Sequence, residues 1–226
     1  MTLTCIILST SVSEAQATFD SCAFAEETLL ILNDNITDYA AVRNAALARA
    51  QGDWVLFVDD DEIVTEELAS EIKASMMSEK YDAYYLKRSD AFMGRALRYG
   101  ETAHAKFLRL AKHSYGSWQR PVHETWIGKG RVGQLQNHLL HTPHTSIGSF
   151  LEKVNRYSQL DAEYRFKQGI HSSLFKVAVY PIAKFKRNYL LRFGWLDGVP
   201  GLIIAIMMSL HSYLTWTKLY LLWHKK

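Results

Sequence analysis

Two cysteines in 226 residues, Cys5 in an apolar run and Cys22 in a stretch that reads as helix, supply neither the number nor the spacing of a disulfide framework or a zinc site. Reduced thiols are the expectation. No basic segment precedes Leu3-Thr4-Cys5-Ile6-Ile7-Leu8. That short run is therefore expected to be a first strand, not a signal peptide, in a chain that stays in the cytosol. Internal repeats and low-complexity tracts are missing, which sets aside repeat architectures. The formal net charge of +3 is too small to imply a nucleic-acid partner. The last third of the chain is almost without acids: after Phe166 only Asp197 stands against Lys167, Lys176, Lys184, Lys186, Arg187, Arg192, Lys218, Lys225 and Lys226. A basic, apolar tail behind a charge-balanced domain points to an anionic membrane surface.

The length is that of one globular domain with an appendage. Leu3 to Leu8 reads as a strand, Ser13 to Ala23 as a helix, Glu27 to Leu32 as a strand and Asp38 to Ala50 as a helix, followed by a strand over Asp53 to Val58. Alternation of this kind predicts a largely parallel sheet covered on both faces. From Tyr81 onward the texture changes. Ala83 to Lys87 and Ala105 to Leu110 read as strands, and Ser149 to Phe166 as a helix.

The strand over Asp53 to Val58 ends abruptly in Asp59-Asp60-Asp61-Glu62. Four adjacent carboxylates repel one another unless solvated or bridged by a cation. An apolar strand that delivers acids at its C-terminal end is how an open α/β sheet presents ligands to Mg²⁺ or Mn²⁺. Acids also gather at helix starts, and Glu62 to Lys73 has helical spacing. Thr65 is a fitting cap, Glu66 and Glu67 suit a first turn, and Leu68, Ile72 and Met76 fall near one face. That accounts for Glu66 and Glu67 but not for three aspartates directly after Val-Leu-Phe-Val.

The run from Val42-Arg43-Asn44-Ala45-Ala46-Leu47 through Gly52-Asp53-Trp54-Val55-Leu56-Phe57-Val58-Asp59-Asp60-Asp61-Glu62 resembles the core signature of family 2 glycosyltransferases. Further similarity lies in Phe92-Met93-Gly94-Arg95, Phe107-Leu108-Arg109-Leu110, Val122-His123-Glu124, Phe150 to Ser158 and Gly194-Trp195-Leu196-Asp197-Gly198. Together they resemble the small bacterial subgroup that builds lipopolysaccharide cores and related glycolipids. The resemblance implies an α/β fold of the GT-A type, Rossmann-like, with a mainly parallel central sheet flanked by helices. It divides the chain into an abridged catalytic domain over 1–165 and a helical, membrane-associating tail over 166–226.

The same resemblance implies inverting transfer of a sugar from a nucleotide-diphosphate donor, a UDP-sugar first among them, to a lipid-linked or lipopolysaccharide-type acceptor. It assigns Asp59 to the nucleotide and Asp61 to a Mg²⁺ or Mn²⁺ ion, with Asp60 or Glu62 as helpers. Arg43 becomes a donor-site cation, because its fork grips a phosphate or a base carbonyl; an exposed helix charge is the alternative. Glu124 is the candidate general base, in a segment that Pro121 keeps extended. An ordinary loop acid is the other reading of that residue.

Leu139-Leu140-His141-Thr142-Pro143-His144 is the one histidine stretch singled out, with His141 as a further metal or diphosphate contact or a structural residue. His123 would orient Glu124 or the leaving phosphate. Arg88, Arg95, Arg98 and Arg109 would form a basic rim for an anionic acceptor, and Trp118 and Trp126 either stack on a sugar or pack in the core. Where the family usually carries an Asn-Glu pair and an Asp before a Ser-Thr-Asp element, this chain reads Ser9 to Glu14 and Asn33 to Asp38. Asp34 is the nearest counterpart of the base-facing acid. The abridgement keeps a second reading open, a degenerate relative that binds nucleotide sugar or a partner without catalysis.

Val199 to Thr217 is nearly long enough to span a bilayer. His211 and several hydroxyls interrupt it, Lys218 follows, and Trp216, Tyr220 and Trp223 are interfacial residues. A hairpin or helix lying in the cytosolic leaflet is therefore expected, peripheral or monotopic on the inner membrane face. A helix packed in a homodimer or against the domain is the alternative.

Overall fold

The apolar run at the start of the chain is strand β1 (Leu3–Ser9), with all seven residues buried. Helix α1 (Val12–Ser21), capped by the Ser11 side chain on Glu14 N–H, returns the chain to β2 (Glu27–Leu32). Helix α2 (Tyr39–Leu47), capped by Asp38 on Ala41 N–H, leads to β3 (Trp54–Asp59). These helical crossovers make the three strands parallel, with Ile6 beside both Leu29 and Phe57. Strands covered on both faces read as unbroken apolar runs, which is the pattern of β1 and β3.

Beyond β3 the sheet changes direction. After β4 (Glu62–Ile63) and α3 (Glu66–Met77) come β5 (Ala83–Phe92), β6 (Arg95–Ala96), β7 (Lys106–Lys112), the hairpin β8 (Gly116–Gln119) and β9 (Thr125–Gly128), and β10 (Val132–His141). The main sheet has the order β2-β1-β3-β7-β5-β10-β4, and the β3–β7, β7–β5 and β10–β4 pairs are antiparallel. The fold is α/β with a mixed central sheet flanked by helices. The parallel arrangement expected from the sequence occupies the β2-β1-β3 side, where helices connect successive strands. On the other side no α-helix joins β5 to β7 among the described residues, and strands without a helical crossover pair antiparallel.

The structure describes residues 1–142 and 146–225, so His144 of the singled-out histidine stretch lies outside the described residues. Two compact units result: Met1–Ser89 with Ala105–Thr142, and Asp90–His104 with Pro143–Lys226. In the first, one face of the sheet packs Leu3, Cys5, Ile7, Trp54 and Leu56 against Leu68, Ile72 and Met76 of α3. The other face packs Ile6, Val55 and Phe57 against Ala40, Ala46 and Leu47 of α2 and against Trp118 and Trp126. Thr65 caps α3 through Leu68 N–H, and the helix begins at Glu66, not at Glu62.

In the second unit, Phe92 and Arg95 pair across a turn at Met93 and Gly94, both with positive φ, as a two-residue hairpin turn requires. Helix α4 (Ile147–Lys167) starts with a capping box between Ser146 and Ser149. Helix α5 (Leu174–Phe185) carries Pro181 in its interior and runs into a π-helical turn over Lys186–Leu191, then a 3₁₀ turn over Gly194–Asp197. The long apolar helix α6 (Gly198–His224) follows. Phe92, Leu97, Phe150, Val154, Ile204 and Met207 form the core of this unit, so α4 packs with the C-terminal helices.

Candidate active site

The C-terminal ends of the three parallel strands meet at one edge of the first unit. Register sets Leu8 beside Asp59 and Ser9 beside Leu32, so Thr10, Asp34 and the acidic turn after β3 all emerge there. In open α/β sheets this crevice is where ligands bind.

The acidic turn is held from within. Glu62, completely buried, accepts the Asp59 N–H through Oε2 at 3.0 Å. Thr18 Oγ1 of α1 donates to the carbonyls of Asp60 at 2.9 Å and Glu62 at 2.7 Å. Ser9 Oγ donates to Asp60 Oδ2 at 2.7 Å, and Thr142 N–H donates to the Asp61 carbonyl at 3.0 Å. Burial, then the neighbouring Asp59 charge, push the Glu62 carboxyl up, against the opposing pull of Arg109, the Asp59 N–H and Arg88.

Asp59 is gripped by two arginines. Arg43 Nη2 reaches its Oδ1 at 2.7 Å, and Arg109 Nη2 reaches its Oδ2 at 2.5 Å. Burial alone would raise this carboxyl, but the charges of Arg109 and Arg43 and their hydrogen bonds outweigh it and hold it well below the usual carboxylate range. Burial likewise works against the Arg109 guanidinium, yet Asp59, Glu62 and Glu124 raise it above the ordinary arginine value. Asp59 keeps 29 % side-chain exposure, so its remaining lone pairs are open to a ligand.

Arg43 does more than hold Asp59. Its Nε donates to Glu124 Oε1 at 2.9 Å, so one guanidinium joins two carboxylates that are distant in sequence. Arg43 is 2 % exposed, which rules out the exposed helix charge. Its guanidinium carbon lies 4.8 Å from the Trp118 ring centroid and 5.4 Å from that of Phe57, a cation–π setting.

Trp118 and Trp126 are buried, stacked on each other at 5.3 Å and edge-on to Phe57. They wall the arginine in and are core residues. Arg109 is also buried, drawn inward by Asp59, and does not stand on an exposed rim. Arg88 faces Glu62 Oε1 at 3.6 Å and lies over the Phe107 ring. Arg95 and Arg98 belong to the second unit.

The loop that carries Glu124 is under backbone strain. Arg120 and His123 adopt left-handed φ of 75° and 50° on either side of Pro121 and the buried Val122. Non-glycine residues persist there only where surroundings overdetermine them. The Tyr39 N–H donates to the Pro121 carbonyl at 2.9 Å, tying the loop to the start of α2. Glu124 retains 15 % side-chain exposure and His123 is exposed beside it.

Asn44 was not among the residues expected to matter. Its side chain donates to the Trp118 carbonyl at 2.9 Å and accepts the Trp118 N–H at 2.8 Å, which clamps α2 to β8 and fixes Arg43 relative to Glu124. An asparagine in the middle of an alanine-rich helix is the signal that could have found it, since that amide is unfavourable there without a partner. Thr18 carried no comparable signal.

Among the described residues no three His, Cys, Asp or Glu side chains converge as a metal cluster. Asp61 Oδ1 does lie 3.3 Å from His141 Nε2, with Asp61 22 % exposed and His141 9 %. A carboxylate and an imidazole are side chains able to ligate a divalent cation. Asp34 sits exposed in the loop after β2, where the Asn33 N–H donates to the Ser9 carbonyl at 2.9 Å.

The sequence profile described as Glycosyl transferase family 2 matches residues 21–158, a span that contains the whole acidic turn, Arg43, Arg109, Glu124 and His141. The chain belongs to that family. Relatives of this family 2 chain include a glycosyltransferase of Rickettsia typhi, uncharacterized in its own right, 26 % identical over 80 % of this chain and 66 % of that protein. The lipopolysaccharide core biosynthesis glycosyltransferase LpsC of Rhizobium meliloti is 26 % identical over 80 % of this chain and 69 % of its own length. The chain thus spans about two thirds of the length of these relatives. Among solved structures, the mannosyltransferase PcManGT of Pyrobaculum calidifontis, in complex with GDP-Man and Mn²⁺, shares the fold with a TM-score of 0.55 at 12 % identity, covering 99 % of this chain and 88 % of that one.

Proposed function

We propose that this family 2 glycosyltransferase is an inverting, metal-dependent enzyme that moves a sugar from a nucleoside-diphosphate sugar, a UDP-sugar first among them, to a lipid-linked or lipopolysaccharide-type glycan. The observation that carries this reading is the single guanidinium of Arg43 shared between Asp59 and Glu124, the two carboxylates that the reading takes as donor-side acid and base. The kinship to a lipopolysaccharide-core transferase supports the acceptor class.

In this reading Asp34, Asp59 and Asp60 face the nucleoside, and Asp61 with His141 would hold Mg²⁺ or Mn²⁺. Such an ion, when bound, neutralises charge on the diphosphate leaving group. Glu124 takes the proton of the acceptor hydroxyl as that oxygen bonds to the anomeric carbon and the bond from that carbon to the diphosphate oxygen breaks. Attack opposite the leaving group inverts the centre. Arg43 is a positioning residue that keeps Glu124 aimed, and Arg109 and Arg88 offset negative charge at the acidic turn. His123, exposed beside Glu124, would contact the acceptor or the leaving phosphate.

The test is calorimetric titration with UDP, with and without Mn²⁺, followed by UDP release from a panel of UDP-sugars. Asp61→Asn should abolish the metal-dependent part of binding. Glu124→Gln should keep binding and lose transfer by about 10²–10⁴-fold. Normal transfer by Glu124→Gln would overturn the base assignment. A second reading, binding without catalysis, is favoured by the capture of both Asp59 oxygens by arginines. UDP binding without release from any donor-acceptor pair would select it.

A further inference from the structure

Helix α6 is long and apolar enough to cross a bilayer by length and composition, as part of a 31-residue helical stretch over Gly194–His224. Its packing opposes a crossing. Phe150 and Val154 of α4 share a core with Ile204 and Met207 of α6. The other side of α4 at this level is charged, with Glu152, Lys153 and Arg156 all exposed. Further along, Lys218 Nζ is fixed to α4 by the Asn155 carbonyl at 2.7 Å, Asn155 Oδ1 at 2.8 Å and Ser158 Oγ at 2.9 Å. Arg165 and Lys176 both lie 5.0 Å from the Trp216 ring centroid. A spanning α6 would carry these charges of α4 into hydrocarbon, where charged side chains are rare and costly.

The segment joining α5 to α6 has the opposite character. Leu190, Leu191, Phe193, Trp195, Leu196 and Val199 are all exposed, Leu191 to 74 % and Val199 to 63 %. The turn that displays them is tightly built. The Asp197 carboxylate accepts the Arg98 and Tyr99 N–H groups, at 3.1 and 2.9 Å, and Gly100 N–H reaches the Arg192 carbonyl at 2.9 Å. Gly201 packs so closely that a Cβ there would lie 2.0 Å from the Gly194 carbonyl oxygen. Six apolar side chains are therefore held outward by a braced turn, with exposed Lys186 and Arg187 and half-buried Arg192 beside them. An apolar tip flanked by cations, with Asp197 engaged by backbone N–H groups and Glu101 by Lys184 and Asn188, complements an anionic leaflet.

We propose that this chain docks on one leaflet through the 190–199 turn, inserting Leu190, Leu191, Phe193, Trp195, Leu196 and Val199 among the acyl chains, while α6 does not cross the bilayer. This rests on the lipid-linked acceptor of the proposed function and names the surface that would meet the membrane holding it. The partner is a bilayer containing anionic lipid.

The experiment uses the full chain with vesicles of phosphatidylethanolamine and phosphatidylglycerol, against vesicles of phosphatidylcholine alone. Wild type should co-sediment with the anionic vesicles. Leu191→Glu combined with Val199→Glu, both at exposed positions, should reduce the partition coefficient at least tenfold while circular dichroism and UDP binding stay unchanged. A Lys225→Cys variant, with Cys5 and Cys22 replaced by alanine, then reports topology in membranes of an expressing cell. A membrane-impermeant maleimide should label it from the same side as an Arg98→Cys counterpart, which Asp197 holds at the other end of α6.

Labelling of the two positions from opposite sides would overturn the proposal in favour of a spanning helix. Absence of wild-type binding to any vesicle, or unchanged binding by the double variant, would also overturn it. A concentration-dependent dimer in place of vesicle binding would assign the tip to a second copy. UDP binding and release are read in the absence of vesicles, so failure of the docking surface and failure of the transferase reading are separate results.

Discussion

Replacing Arg43 by methionine, which retains much of the side-chain volume, removes one buried cation and leaves two carboxylates facing each other across its place. Breaking a buried ion pair by deleting one partner costs about 3–5 kcal/mol. Asp59 and Glu124 keep 29 % and 15 % side-chain exposure, and Arg109 still pairs with Asp59, which argues for the low end, about 3 kcal/mol. For a chain of this size that corresponds to a fall in melting temperature of roughly 6–12 °C. Arg43→Lys should recover only part of the loss, because one ammonium cannot present the fork that reaches Asp59 and Glu124 at once.

The pH profile carries the sign. Asp59 is held below its unfolded value, near 3.9, so its contribution is complete above that pH and declines progressively as pH falls from there toward the depressed folded value. Denaturant unfolding followed by circular dichroism from neutral pH to pH 3 should therefore show a shallower acid limb in Arg43→Met than in the parent. An Arg43→Met chain within about 0.5 kcal/mol of the parent at neutral pH would refute the claim that this guanidinium holds the site together.

Glu62 has the opposite sign. Its carboxyl is raised, so the folded chain holds a proton that the unfolded chain releases above about pH 4.3, and stability falls as pH rises through that window. Glu62→Gln should flatten this limb in the same unfolding assay, while an unchanged slope would show that Glu62 titrates normally. Gly116 permits close approach of β8 and β9: an added Cβ would lie 2.0 Å from the Ile127 carbonyl oxygen. Gly116→Ala should cost about 1–3 kcal/mol and disturb the Glu124 loop between those strands, read as lost stability and lost transfer together. Asn44→Ala should remove two hydrogen bonds to the Trp118 backbone, destabilise by about 1–3 kcal/mol, and reduce transfer more than UDP binding.

The half of the site built from local pattern was legible in the sequence. Unbroken apolar runs with helical connections mark β1, β2 and β3, and the switch from Val58 to Asp59 marks the strand's C-terminal end. Thr65 with Glu66, Glu67, Leu68, Ile72 and Met76 gave α3 and its buried face. Glu62 was misread as helical because the apolar spacing extends backward from α3, whereas the Thr65 cap resets the start and leaves Glu62 in a two-residue strand. The antiparallel half was hidden for a different reason: pairing of β3 with β7 and of β4 with β10 depends on contacts distant in sequence. The role of Arg43 stayed undecided between ligand cation and solvated charge because nothing near it in sequence announces Glu124. That proximity exists only once α2, the β8–β9 hairpin and the strained loop at Arg120 and His123 are assembled.

A guanidinium shared by two carboxylates also makes the halves of a transfer reaction interdependent. Whatever engages Asp59 draws on the same cation that steadies Glu124. If Asp59 is the donor contact proposed above, nucleotide binding and the placement of Glu124 become coupled properties, so that a ligand at one carboxylate is felt at the other.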